Sequence, residues 1–141
     1  MALTYQPPFT QIPNIGVQTL SAANAARDGS GTIPTGFTSG SDGSFVKRIK
    51  FIPAQATAAA TTAKVACVFL SFNAGSTWQF YAEVALPTVT PSGTATGETG
   101  TKIFPFPDGL VLPAAALVGV TITAYSGVQD RTQVIIEGSN Y

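Results

Sequence analysis

Hydrophobic and polar residues alternate along much of the chain, and this alternation predicts β-strands. Between Ala63 and Phe72 apolar residues occupy both alternate sets of positions, so both faces of that strand are expected to be buried. The residues Asn73–Ser76 ("NAGS") are typical of a hairpin loop and lead into a second strand over Thr77–Pro87. One set of alternate positions in this second strand is expected to face the core: Trp78, Phe80, Ala82, Val84 and Leu86.

Further short strands are separated by segments rich in glycine, serine and proline. They are predicted at 16–20, 44–54, 102–107, 117–125 and 132–137. Seven or eight short strands without a strong helical signal indicate an all-β fold, an antiparallel β-sandwich of jelly-roll-like type. The segments 21–43 and 88–101 are predicted as loops, with at most one helical turn over 22–27.

The apolar stretch Gly109–Gly127 ("GLVLPAAALVGVTITAYSG") raises the possibility of a membrane span. Such a helix needs about 20 uninterrupted apolar residues, whereas Pro113, Thr121 and Thr123 interrupt this stretch. From Leu117 onward the pattern has a period of two and is rich in β-branched residues, which favours a loop followed by a buried strand. We therefore expect no contact with a membrane.

Charge is scarce and balanced, which narrows the classes of partner. The 141 residues suit one domain, and they carry seven Lys+Arg and seven Asp+Glu, so that only 10% are charged and the formal net charge is zero. Three of the cations, Lys47, Arg48 and Lys50, fall in one predicted strand, where simple alternation places Lys47 on the face opposite the other two. No nucleic-acid partner is expected, because phosphate binding requires clustered excess cations. A neutral, charge-poor surface favours association with other protein.

The first fifteen residues, "MALTYQPPFTQIPNI", contain three prolines and several large apolar groups. They are predicted to form an extended N-terminal arm, residues 1–15, ahead of a single sandwich domain, residues 16–141; a disordered terminus is the alternative. The stretch lacks the basic and apolar regions of a secretion signal, so we expect folding in a cytosol. The residues of the arm that are expected to contact a partner protein are Tyr5, Pro7, Pro8, Phe9, Ile12, Pro13 and Ile15.

No constellation of residues indicates catalysis. The chain has no histidine, which excludes Ser-His-Asp and Cys-His nucleophilic systems, and its single cysteine, Cys67, lies among large apolar residues and is expected to be inert. Neither a cofactor nor a metal is expected, since a zinc site would need several Cys or His ligands and the loop aspartates lack the spacing of a calcium loop. Glu83 and Glu137 lie on separate strands with nothing to require that they share a cleft, and Tyr81 is the best candidate for a surface aromatic residue that binds sugar.

Several short motifs resemble a family of small structural proteins from the virions of tailed phages and prophages. The resemblance covers residues 43–141 and rests on a basic strand, an alanine- and threonine-rich stretch with an apolar strand, and a hairpin. It also includes "EVALP" (Glu83–Pro87), "TPS" (Thr90–Ser92), "LVLP" (Leu110–Pro113) and "IIEGSNY" (Ile135–Tyr141). The strand after Pro113 departs from the family pattern by being more apolar, and we expect that strand to be buried against a neighbouring subunit.

The resemblance implies a virion protein that is synthesised in the host cytoplasm. Together with the arm and the absence of catalytic residues, it favours a non-enzymatic capsid decoration (cement) protein on the exterior of the head. Its expected partners are the major capsid protein and two further copies of the chain in a homotrimer. The alternatives are another virion component, such as a head-fibre, neck or tail protein, and a carbohydrate-binding β-sandwich module.

Overall fold

Eight β-strands form two four-stranded sheets in the computed structural model, which describes residues 12–55, 59–92, 94 and 100–141. No α-helix occurs in these residues, and a 3-10 turn, Val128–Asp130, precedes the last strand. The strands are β1 (Ile12–Leu20), β2 (Thr35–Thr38), β3 (Ser44–Pro53), β4 (Lys64–Ser71), β5 (Gln79–Leu86), β6 (Lys102–Leu112), β7 (Leu117–Ile122) and β8 (Thr132–Asn140).

The strand order is that of a jelly roll. Sheet A has the order β1-β8-β3-β6 and sheet B the order β2-β7-β4-β5, with all ladder pairings antiparallel. The chain crosses from one sheet to the other after every strand except β4, which turns back into β5 through a hairpin. This double Greek-key path confirms the predicted jelly-roll-like sandwich of seven or eight strands, and the number is eight.

The core lies between the sheets and is built from alternate residues of the central strands. Its largest fully buried side chains include Phe37, Phe51, Ile49 and Ile136. The partly buried Phe104 packs against the edge of the same cluster, where its ring meets Phe106 edge-on with centroids 5.2 Å apart. Continuous burial of this kind is the main favourable term in the folding free energy.

One side of the sandwich is closed by a backbone contact between β1 and β2. A Cβ atom on Gly16 would lie 1.9 Å from the carbonyl oxygen of Gly36, so only glycine allows the two strands to approach this closely. The Gln18 side chain donates to the carbonyl of Val120 in β7 at 3.2 Å and to that of Pro34 at 3.3 Å. Gln18 thus ties sheet A to sheet B at their shared margin.

The apolar β7 is buried by the chain itself rather than by a neighbouring subunit, so that expectation is wrong. The inner side of β7 belongs to the main core. The side of sheet B that points away from this core carries a second buried cluster of Cys67, Phe69 and Ile33, with Trp78 packed against it. Segment 21–34 supplies Ile33 to this cluster. No helical turn forms over 22–27, where Ala23 instead makes an isolated bridge with Ile122.

Two other loop predictions also differ from the structure. The short strand β2 lies in a segment predicted as loop, because its four residues are too few to show a period. β6 continues through the predicted turn to Leu112, because Gly109, with φ +75°, lets the strand bulge beneath the Phe45 ring. A Cβ atom on Gly109 would lie 1.8 Å from that ring.

An irregularity in the β4–β5 ladder also reverses the predicted face of Phe80. Ala82 and Val84 pack on the core as expected. The register of β4 with β5 shifts between Val68 and Phe69, which places Tyr81 as an extra residue between Ala82 and Phe80. Phe80, in contrast, is 40% exposed and packs edge-on against Phe69, away from the main core. A bulge adds one residue to a strand, and every side chain beyond it changes face.

Candidate protein-interaction surface

The side of sheet A that points away from the core is the candidate site, and we call it the outer face. Strand alternation places on it the residues whose neighbours in sequence are buried in the core. It comprises Pro13, Ile15 and Val17 of β1, Ile135, Glu137 and Ser139 of β8, Phe45, Lys47, Arg48 and Lys50 of β3, and Ile103, Pro105 and Val111 of β6.

The registers arrange these residues as rows that cross all four strands. One row runs from Ile15 through Glu137 and Arg48 to Pro105. The next row runs from Val17 through Ile135 and Lys50 to Ile103, and the row on the other side runs from Pro13 through Ser139 and Phe45 to Val111. Each row therefore has apolar residues at both ends, while the two middle strands carry the charges.

The apolar ends of the rows are unusually exposed. Ile15 and Val17 are 60% and 59% exposed on β1, and Ile103 and Val111 are 50% and 63% exposed on β6. Single exposed apolar residues are ordinary on a protein surface, but a group of them on one sheet face is typical of an interaction site.

Charged side chains occupy the centre of the outer face. The Glu137 carboxylate accepts a hydrogen bond from Arg48 Nε and lies 3.4 Å from Lys50 Nζ. The hydrogen bond from Arg48 lowers the pKa of Glu137 below the ordinary glutamate value, and Lys50 acts in the same direction. Glu137 is therefore ionised at neutral pH and holds both cations in place.

The third cation, Lys47, joins this cluster, so the prediction that it faces away from the other two is wrong. The β3 register shifts between Val46 and Arg48, and Lys47 lines a shallow depression together with Phe45 and Glu137. The extra residue at the shift lets both Lys47 and Arg48 reach one face. Three cations and one carboxylate give the centre of the outer face a net positive charge.

The structure places three of the seven predicted interface residues and leaves the others outside the described part of the chain. Ile12, Pro13 and Ile15 belong to β1, where each lies opposite a residue of β8. The predicted boundary between residues 15 and 16 thus falls inside a strand, because β8 extends to Asn140 and offers partners along the whole of β1. Tyr5, Pro7, Pro8 and Phe9 lie outside the described residues.

The sequence alone does not single out Val17, Ile103 and Val111, which the structure exposes on the outer face. Alternation assigns each of them to a face, but it does not say which face another layer covers. In an eight-stranded sandwich the outward faces are the ones left without a second sheet, and only the strand order identifies them.

Glu83 and Glu137 do not share a cleft. Glu83 lies on sheet B, where its carboxylate accepts a hydrogen bond from Arg27 Nε at 2.8 Å, whereas Glu137 lies on sheet A. Within the described ranges no group of three or more His, Cys, Asp or Glu is placed to hold a metal ion. Cys67 is fully buried, and burial raises the pKa of its thiol, so it is a poor nucleophile at neutral pH.

The aromatic candidate for sugar binding, Tyr81, packs against another ring of the protein. Tyr81 is 44% exposed, but its ring packs on Phe106 with centroids 5.8 Å apart. A cleft of about 510 Å³ opens between the end of β1, segment 21–34 and β7. As far as the described residues go, the side chains that line this cleft include neither an aromatic ring nor a charge.

In the described part of the chain no helix has the length and apolar character required to cross a bilayer. No protein-family model matches the sequence, and no curated protein matches it. Among solved structures, a chain of the T13 IBDV viral particle is similar to this chain over 96% of its residues, with 12% sequence identity and a TM-score of 0.33. The matched region spans 35% of the length of that viral chain.

Proposed function

We propose that this protein is a capsid decoration protein of a tailed phage, which binds the exterior of the head and bridges neighbouring capsomers. The observation that carries the proposal is the outer face, where exposed aliphatic side chains surround a cationic centre. The resemblance of residues 43–141 to small virion proteins supports the same function. The role is structural and non-enzymatic, the chain is made in the host cytoplasm, and the decoration function is proposed for a homotrimer.

The proposed partner is the major capsid protein. Its surface that contacts the outer face is proposed to be apolar and to carry carboxylates. Burying a large aliphatic side chain contributes about 1.5–3 kcal/mol, so four half-exposed ones contribute about 1 kcal/mol each before ordering costs. Lys47, Arg48 and Lys50 would meet the carboxylates, and Glu137 would keep two of these cations oriented. Electrostatic complementarity of this kind gives specificity and orientation more than raw affinity.

The N-terminal segment is the second proposed contact, because it enters β1 at the margin of the outer face. Residues 1–11 bring Tyr5, Pro7, Pro8 and Phe9 to the same partner. A truncation designed to test this contact should end at residue 11, since removal through residue 15 would also delete four paired residues of β1.

The test is a binding assay of the full chain on phage capsids that lack it. The double variant Ile15→Ser with Val17→Ser is expected to weaken binding about thirty-fold, because roughly 2 kcal/mol of apolar burial is lost. Val128→Ser is the matched control, since Val128 is 40% exposed on the 3-10 turn and belongs to none of the four strands that form the outer face. Equal affinities for the double variant and the wild type would refute the assignment of the outer face.

A count of copies per virion by quantitative mass spectrometry, against the major capsid protein, separates the two virion functions. Hundreds of copies support a decoration protein that covers the shell. A few dozen or fewer indicate a head-fibre, neck or tail component, and none would refute a virion function. A carbohydrate-binding function receives no support from the neutral cleft beside β7.

A further inference from the structure

The four edge strands of the sandwich differ in how they are protected against pairing with another chain. An edge strand exposes unpaired backbone N–H and C=O groups, and proteins commonly blunt such edges with proline, lysine or short length. β1 contains Pro13, and β6 contains Pro105 and Pro107. β2 has only four residues and is approached closely by β1.

β5 lacks all of these protections. Its eight residues, "QFYAEVAL", contain neither proline nor lysine, and among the residues that the structure describes the strand pairs only with β4. Its one charged residue, Glu83, is already neutralised by Arg27, and both side chains remain about half exposed. Beyond the bulge at Tyr81, the free edge of β5 runs regularly from Ala82 to Leu86 and is electrically neutral, as a strand-pairing surface requires.

We propose that β5 pairs antiparallel with β5 of a second copy of this chain, so that the two B sheets join across a two-fold axis. This contact goes beyond the proposed function and does not depend on it, since it uses the opposite sheet from the outer face. A two-fold contact requires that the strand be complementary to itself.

The β5 sequence offers such a register with its centre at Val84. Val84 then lies opposite its own copy, Ala82 lies opposite Leu86, and Glu83 lies opposite Ala85. The two carboxylates are not directly opposed in this arrangement, whereas a register centred on Glu83 would oppose them at a cost in free energy. Ala82 and Val84 pack against the core, so the pairing would extend the core across the axis.

A second copy of β5 is a better pairing partner for the free edge of β5 than the N-terminal segment of a neighbouring chain. Residues 1–11 include Pro7 and Pro8, which have no N–H to donate to a ladder. β5 itself supplies eight residues without proline.

The test compares two variants of the full chain that carry opposite charges at residue 85. Their self-association is measured by sedimentation equilibrium. Ala85 is exposed on the wild-type surface, so both Ala85→Glu and Ala85→Lys should fold. In the proposed register Ala85→Glu meets Glu83 of the other copy twice and is expected to weaken self-association at least about tenfold. Ala85→Lys meets the same carboxylates and is expected to preserve or strengthen it. Ala114→Glu, on the exposed turn after β6, is the matched control and is expected to behave as the wild type.

Opposite effects of the two Ala85 variants, with circular dichroism unchanged, would support the β5 pairing. A wild-type chain that stays monomeric up to its solubility limit would overturn the proposal. The proposal would also be overturned if the wild type forms an assembly, including the expected trimer, and Ala85→Glu leaves that assembly intact. Capsid binding is measured separately, so failure of the decoration function is distinguishable from failure of this contact.

Discussion

Replacing Asp130 by asparagine is expected to cost more stability than replacing any charged residue on the surface. Asp130 is fully buried and accepts hydrogen bonds from the backbone of Thr62 and from both the backbone and the hydroxyl of Ser126. Its carboxylate also lies 3.3 Å from Lys64 Nζ, which donates to the Asp130 carbonyl at 2.6 Å. This cluster joins the start of β4 to the 3-10 turn before β8, and so connects sheet B to sheet A.

The loss in the free energy of unfolding is large because the substitution leaves the Lys64 charge and several donors without their acceptor. Asparagine has no charge for Lys64, and its NH₂ group turns a donor toward backbone and hydroxyl donors. Removing one partner of a buried ion pair typically costs about 3–5 kcal/mol, because the other charge stays buried without compensation. For a chain of 141 residues this loss corresponds to a decrease in Tm of about 10–15 °C.

The same substitution should change how stability depends on pH. Burial acts to raise the pKa of Asp130, but the hydrogen bonds from Ser126 and Thr62 outweigh it, so the pKa of the folded state lies well below the ordinary aspartate value. A lowered folded pKa contributes stability above the unfolded pKa, near 4, and this contribution is lost as the pH falls toward the folded value. The wild type should therefore lose stability below about pH 5 more steeply than Asp130→Asn.

Urea unfolding followed by the fluorescence of Trp78, the chain's single tryptophan, measures both effects. The double variant Lys64→Met with Asp130→Asn is the control, and it should recover part of the loss because no unpaired cation remains in the interior. A free energy of unfolding for Asp130→Asn within about 0.5 kcal/mol of the wild type would refute the reasoning, as would an unchanged dependence on pH.

Three further substitutions or probes test other parts of the structure. Gly16→Ala should lower the free energy of unfolding by at least about 2 kcal/mol in urea titrations, because its Cβ would meet the Gly36 carbonyl; wild-type stability would contradict the close approach of β1 and β2. Glu137→Gln should cost at most about 1 kcal/mol at pH 7, with the difference from wild type vanishing in acid since the folded pKa of Glu137 is lowered; a difference that persists in strong acid would indicate another cause. The Cys67 thiol should react with a thiol reagent only at the rate of unfolding, because it is fully buried; fast labelling of the folded protein would show that segment 21–34 opens.

Local sequence patterns were sufficient for most of the strands. The alternating segments at β3, β4, β5, β7 and β8 were identified close to their structural bounds, because a period of two is imposed by the geometry of each strand alone. The all-β class followed from the same periodicity together with the turn residues between the strands. The four residues of β2 and residues 108–112 of β6 were missed, since a short strand and a bulged strand do not keep the period.

The candidate surface depended on pairings that no single segment encodes. Ile15, Arg48 and Ile103 are far apart in the chain, and they share one face only because β1, β8, β3 and β6 lie side by side. The register shift after Val46 also brought Lys47 to the cationic centre, against its simple parity. Sequence by itself determined most of the strands, the scarcity of charge and the absence of histidine. Tertiary structure alone decided which faces and edges remain exposed, because exposure depends on strands that are distant in sequence and adjacent in space.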